Sequence, residues 1–173
     1  MIINKLHLYN FGVYASDNNF VFNSEKPVVL IGGMNGRGKT TFLEAILLAL
    51  YGKNSFAVQE SIYGAYGKYL KAHTNIADGT NESFVELEFS IEEDGNNNIY
   101  TVNRSWNTNV KIIKDKVTVE KNGNADSFLL KSPDNSYFMI DTGKTGYLES
   151  NAPAKNIMIK YMELNLYKAK REI

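Results

Sequence analysis

The chain contains no cysteine. Disulfides, thiol nucleophiles and cysteine-based metal sites are thereby excluded, although the absence does not fix a cellular compartment. Histidine is nearly as scarce: only His7 and His73 offer an imidazole, too few for a histidine metal cluster. Net charge is missing as well. Nineteen Lys+Arg balance 19 Asp+Glu, so no global field steers the molecule toward polyanions. Long apolar runs are also absent. The most apolar segment, residues 42–51, carries Glu44 and is about half the length needed to span a bilayer. Lys5 and His7 interrupt the apolar start in a strand-like alternation, which does not read as a signal peptide. A cytoplasmic protein without membrane contact is the expectation. No repeat or low-complexity tract stands out.

What is present is an ordinary globular composition, with 43% apolar and 22% charged residues. A chain of this size can bury roughly 70% of its unfolded surface, and one domain is the default count. Residues 2–9 read as a first strand and 20–22 as a second. Pro27 opens Val28-Val29-Leu30-Ile31, a continuous apolar run typical of a strand buried on both faces. Residues 40–51 predict a helix, because Phe42, Leu43, Ile46, Leu47 and Leu50 keep the 3-4 spacing. Gly52 is its stop. Residues 54–80 are rich in Tyr and Gly and predict one short helix within a connection. From Ser83 the period becomes two: Val85, Leu87, Phe89 and Ile91 alternate with polar residues, Asp94-Gly95-Asn96 turns, and Tyr100, Val102, Arg104 and Trp106 alternate back. Residues 110–113 and 116–120 predict further strands, with a turn at 122–124, and 137–140 is a last apolar run. Ile159, Met162, Leu166, Ala169 and Ile173 carry a 3-4 seam, as in a coiled coil or an amphipathic docking helix.

The chemistry lies between the apolar run and the helix. Gly33-Met34-Asn35-Gly36-Arg37-Gly38-Lys39-Thr40 satisfies G-x-x-x-x-G-K-[ST], a P-loop. Glycines let backbone wrap phosphate oxygens in conformations closed to residues with a Cβ. The amides of residues 36–41, Thr41 included, would donate to the phosphates, helped by the positive end of the helix. Lys39 would reach the β- and γ-phosphates as the catalytic cation, and the Thr40 hydroxyl would ligate Mg²⁺. The ligand implied is Mg-ATP. At average residue frequencies the four fixed positions recur on the order of once per 30,000 sites, so an accidental glycine turn is a poor rival.

The wider neighbourhood suggests a family. Asn35-Gly36, Thr40-Thr41 and Phe42-Leu43-Glu44-Ala45-Ile46 resemble the ABC-type ATPase heads of SMC and DNA double-strand-break-repair proteins. So does the first strand running into Asn10-Phe11-Gly12-Val13-Tyr14. The hairpin from Ser83 to Trp106 most closely resembles DndD, the SMC-like ATPase of DNA sulfur modification, whose head related phage-defence ATPases share. The resemblance covers about residues 1–121. It implies an α/β P-loop NTPase of ABC/SMC type: an N-terminal head lobe over residues 1–156 with an antiparallel β-layer, and a helix over 157–173 starting a coiled coil. The implied partners are a C-terminal lobe of the same ATPase, a second head forming a homodimer on ATP binding, and DNA. It also implies ATP hydrolysis in repair, modification or defence.

Departures from the family pattern carry consequences. A complete head brings a signature motif, a Walker B aspartate with a catalytic glutamate, and a switch histidine in its C-terminal lobe. No Ser-Gly-Gly signature is found here. Asp141 ends an aromatic strand, but Thr142 follows where a Walker B glutamate would stand; the alternative is the strand that precedes the coiled coil in DndD-like chains. Asn135 and Ser136 occupy the place of a Q-loop glutamine, and the only glutamine is Gln59. The isolated chain is therefore expected to hydrolyse ATP slowly or not at all. Rival readings are a self-contained small P-loop NTPase or kinase with Asp141 as its acid, and a degenerate nucleotide-binding module. Other residues have two readings each. Phe11 and Tyr14 either stack on adenine or pack a strand end. Arg37 either senses the γ-phosphate or a partner subunit, or is a solvated variable position. Arg104 either meets DNA phosphate, pairs with Trp106, or is structural.

Overall fold

The computed structural model describes residues 1–22, 29–93 and 95–125. Pro27, Val28, Asp94, the apolar run at 137–140 with Asp141, and the 157–173 seam with its domain boundary lie outside the described residues. Strands β1 (Ile2–Phe11), β2 (Tyr14–Val21), β3 (Glu82–Glu93), β4 (Asn96–Asn107), β5 (Lys116–Lys121) and β6 (Asn124–Ala125) form one sheet. Its order is β2-β1-β3-β4-β5-β6, and every neighbouring pair is antiparallel. The kinase reading needs a mostly parallel sheet with βα units; none occurs among the described strands.

The period-two pattern of the sequence becomes two faces. Leu6 and Leu8 of β1, Val85, Leu87 and Phe89 of β3, Val102 of β4 and Val119 of β5 are buried on one side. Helix α1 (Lys39–Tyr51) covers that side, touching β1, β3 and β4. Its Ala45, Leu48 and Ala49 are fully buried, and small residues let helix and sheet approach closely. Each buried Leu or Phe contributes about 1.5–3 kcal/mol through water exclusion. The helix begins one residue before the predicted start. Gly52 ends it at φ 53, its N–H donating to the Leu48 carbonyl. A 3-10 turn, α2 (Phe56–Gln59) and α3 (Tyr66–Ala72) follow, so the 54–80 connection holds two short helices rather than one.

Arg104 settles its own reading. It sits on the inner face at 1% exposure. Its Nε donates to the Ala49 carbonyl at 2.8 Å and its Nη1 to Asp115 at 2.7 Å; Tyr66 donates to the same carboxylate at 2.8 Å. The guanidinium thus stitches β4 to the last turn of α1, to α3 and to the β4–β5 connection. Its role is structural. Trp106, two residues on along that face, donates to Thr74 at 2.9 Å.

Two strand predictions are corrected. Val29, Leu30 and Ile31 form no strand and are 51%, 72% and 38% exposed. A strand buried on both faces needs neighbours, and none of the six described strands pairs with this segment. Residues 110–113 are bends and coil, with Val110 and Ile112 exposed. Only Ile113 packs on the core, and the segment carries Asp115 inward to Arg104 instead of pairing.

Candidate functional site

The first two strands build a bed for the P-loop. At the end of β1 the register shifts between Tyr9 and Phe11, and Asn10 adopts φ 50. Its side chain holds that conformation: Nδ2 donates to Asp78 at 2.7 Å and to Thr80 at 2.9 Å, and Oδ1 accepts from the Ser16 N–H. The Asn10 amide and the Thr80 N–H hold the Asp78 carboxyl well below the usual carboxylate range. The turn Gly12-Val13 then reverses the chain into β2. Asn75 ties the turn to the α3 side, donating from its backbone N–H to the Asn10 carbonyl and from Nδ2 to the Gly12 carbonyl. His73 accepts the Gly12 N–H on its carbonyl at 2.7 Å.

The P-loop rests on this turn. A Cβ on Gly12 would lie 2.4 Å from Thr41 Cγ2, and one on Gly38 would lie 2.6 Å from Val13 Cγ2 and 3.0 Å from the Tyr14 ring. Gly38 is buried at φ 91 and ψ 7 and immediately precedes α1. Gly36 also has positive φ, at 75, and a Cβ there would meet nothing within 4 Å. The glycines therefore serve two needs: Gly38 takes a left-handed turn against a tight floor, while Gly36 turns the chain on the open side.

The predicted site residues fall on two adjoining pieces of backbone. Gly33, Asn35, Gly36 and Arg37 lie in the exposed loop, Lys39, Thr40 and Thr41 in the first turn of α1. Lys39 Nζ donates to the carbonyls of Gly33 at 2.5 Å and Met34 at 3.0 Å, so the ammonium lies across the loop's entry. Phe42 N–H makes the first helical bond, to the Gly38 carbonyl at 2.8 Å. The amides before it have no i−4 partner within the helix. No side chain caps this end and no acidic residue stands in its first turn. An anion is what such an end accepts. The residues present thus fit a polyphosphate: open glycine backbone, an uncapped start to a helix of 13 residues, and one ammonium. Thr40 is exposed beside them and suits a magnesium ligand.

The two aromatic candidates separate. Phe11 is fully buried, stacked on His73 and edge-on to Trp106, so it is core and does not face a base. Tyr14 is half-buried, edge-on to Phe20, and its hydroxyl donates to the Gly38 carbonyl at 3.1 Å. Burial pushes its phenol pKa up. The glycine turn and Tyr14 stand close together in the sequence and are legible there as a strand end. The Asn10–Asp78 contact spans 68 residues and leaves no local signal. Among the described residues no group of histidines and carboxylates could hold a metal ion.

A protein-family profile described as an AAA domain matches residues 5–171. The chain belongs to that family. This AAA domain is 34% identical over 101 residues to a component of the nuclease SbcCD of Treponema pallidum, covering 58% of the chain and 9% of that protein. It is 31% identical over 146 residues to DNA replication and repair protein RecF of Natranaerobius thermophilus, covering 82% of the chain and 36% of that protein. The SMC head domain from Thermotoga maritima aligns with 73% of the chain and 39% of its own length, at 25% identity and TM-score 0.43. The chain thus spans only a minor part of the curated relatives it matches. The family shown is the AAA domain and not DndD specifically, and the chain's described strands form an antiparallel sheet with flanking helices. No described helix is long and apolar enough to cross a membrane.

Proposed function

We propose that this AAA domain binds Mg-ATP on its P-loop and forms the N-terminal lobe of a head that hydrolyses ATP when its C-terminal lobe and a second head are supplied. One observation carries the binding part: Lys39 lies across a loop of positive-φ glycines at an uncapped helix start. In this reading residues 36–41 present amides to the phosphates, Lys39 neutralises β- and γ-oxygens, and Thr40 holds Mg²⁺. The metal would neutralise charge that develops on the phosphates.

The exposure of Val29, Leu30 and Ile31 supports the incomplete-head part. Three consecutive apolar residues leading into the P-loop have no strand neighbour among the described residues, and a second lobe would give them some. DNA repair is the setting named by the RecF relative, and DNA is the partner we assign through it. Sulfur modification and phage defence are narrower readings that rest on the 83–106 hairpin pattern alone.

Titration calorimetry with Mg-ATP tests the binding part. The purified chain should bind saturably, and Lys39→Ala should weaken binding by about a hundredfold or more, or about 2.7 kcal/mol. Turnover should be slow until the C-terminal lobe is added. Fast turnover by the chain alone, lost in Lys39→Ala, would sink the incomplete-head reading; absence of any ATP uptake would sink the whole.

A further inference from the structure

We propose that Tyr14 is a positioning residue for the nucleotide phosphates, acting through the Gly38 carbonyl. The inference rests on the nucleotide-binding reading above and concerns how the P-loop is held in shape.

The Gly38 carbonyl has two donors. Phe42 N–H reaches it at 2.8 Å from inside the helix, and the Tyr14 hydroxyl reaches it at 3.1 Å from the β1–β2 hairpin. A trans peptide is planar, so its C=O and the following N–H point in opposite directions. Pinning the Gly38 oxygen toward the hairpin therefore aims the Lys39 N–H away from it, toward the side where phosphate would lie. Gly38 has little intrinsic preference to hold this orientation, since glycine visits both signs of φ. The orientation must come from its surroundings, where the Tyr14 hydroxyl joins the Phe42 N–H in holding the oxygen. The tyrosine lies close enough that its Cζ and hydroxyl oxygen would stand 3.0 Å from a Gly38 Cβ.

The ring is itself braced. Phe20 meets it edge-on at 5.6 Å between centroids, and Phe20 in turn meets Phe42 of α1 edge-on at 5.1 Å. The hydroxyl is thus carried by an aromatic chain that starts on β2 and ends one turn into the P-loop helix. Another phenol serves as a contrast. Tyr9 donates to Asp78 at 2.9 Å and has no contact with the loop among its described hydrogen bonds and ring contacts.

Calorimetry on the full chain compares Mg-ATP binding by wild type, Tyr14→Phe, Tyr9→Phe and Lys39→Ala. Tyr14→Phe keeps the ring and removes one oxygen. It should weaken binding about three- to tenfold, the range of one hydrogen bond, with a thermal midpoint close to wild type. Tyr9→Phe should bind as wild type. The amide resonance of Lys39 in a ¹⁵N-correlated spectrum should move in Tyr14→Phe and stay in Tyr9→Phe, a signature that a general loss of stability would not give. Phe20→Leu, which loosens the ring and spares the hydroxyl, is the second variant and should weaken binding by a smaller factor. Wild-type affinity and an unmoved Lys39 resonance in Tyr14→Phe, or wild-type affinity in Phe20→Leu should Tyr14→Phe not fold, overturn the inference while leaving nucleotide binding intact. Failure of the wild-type chain to bind overturns the underlying reading instead.

Discussion

The sheet and the segment leading into the P-loop are both apolar in sequence, and they end differently. In β3 the alternate residues Val85, Leu87 and Phe89 are buried on the side that α1 covers, and the strand has a hydrogen-bonded neighbour on each side. In residues 29–31 three apolar side chains in a row stand exposed, with no pairing strand among the described residues. Alternation needs only one covering layer, which α1 provides. A continuous apolar run needs cover on two faces and strands on both edges, which the described residues do not contain. The first region has its neighbours among the described residues; the second does not.

Substitutions should separate the two. The largest effect belongs to the sheet side. Arg104→Ala removes a buried cation and leaves Asp115 and the Ala49 carbonyl without it. Urea unfolding should show a loss of about 3–5 kcal/mol; a loss below about 1 kcal/mol, the scale of an exposed pair, would mean that the guanidinium is not the stitch described. Next comes the loop's floor. Gly38→Ala forces a Cβ into left-handed backbone at φ 91, within 2.6 Å of Val13, and should cost about 1–3 kcal/mol while also weakening Mg-ATP binding in calorimetry. Leu30→Ser should change the chain's own stability by less than about 0.5 kcal/mol, as an exposed site does. The same variant should weaken capture of a supplied C-terminal lobe, measured by co-elution; a large loss of stability in the chain alone would erase the contrast drawn above.

The smallest effect is one of pH. The folded Asp78 carboxyl titrates below its ordinary value of 3.8. Its contribution is therefore complete above that value and is lost as pH falls through the depressed one. Asp78→Asn should lower the thermal midpoint slightly at neutral pH, and the gap to wild type should close in strong acid. A gap that widened on acidification would contradict the assignment.

Much of this is legible from local pattern. Val85, Leu87 and Phe89 announce their burial by period, and Gly38-Lys39-Thr40 announces the turn into α1 by composition. What escapes depends on distance along the chain or on absent neighbours. Arg104 keeps three readings, of which the structural one needs Ala49 and Asp115 to be seen beside it. Val110 and Ile112 look like strand residues until Ile113 is found to be the one their segment buries. Asn10 gives no hint that Asp78 and Thr80 will hold it. Val29 to Ile31 match a two-sided strand in sequence, and what they lack is a property of the surroundings.

The contact between Gly12 and Thr41 makes two distant positions behave as a single one. The methyl of the threonine fills the space that a side chain on the hairpin glycine would need. Bulk can be added at one place only if it is taken away at the other, so remodelling the hairpin and remodelling the helix start cannot be undertaken independently.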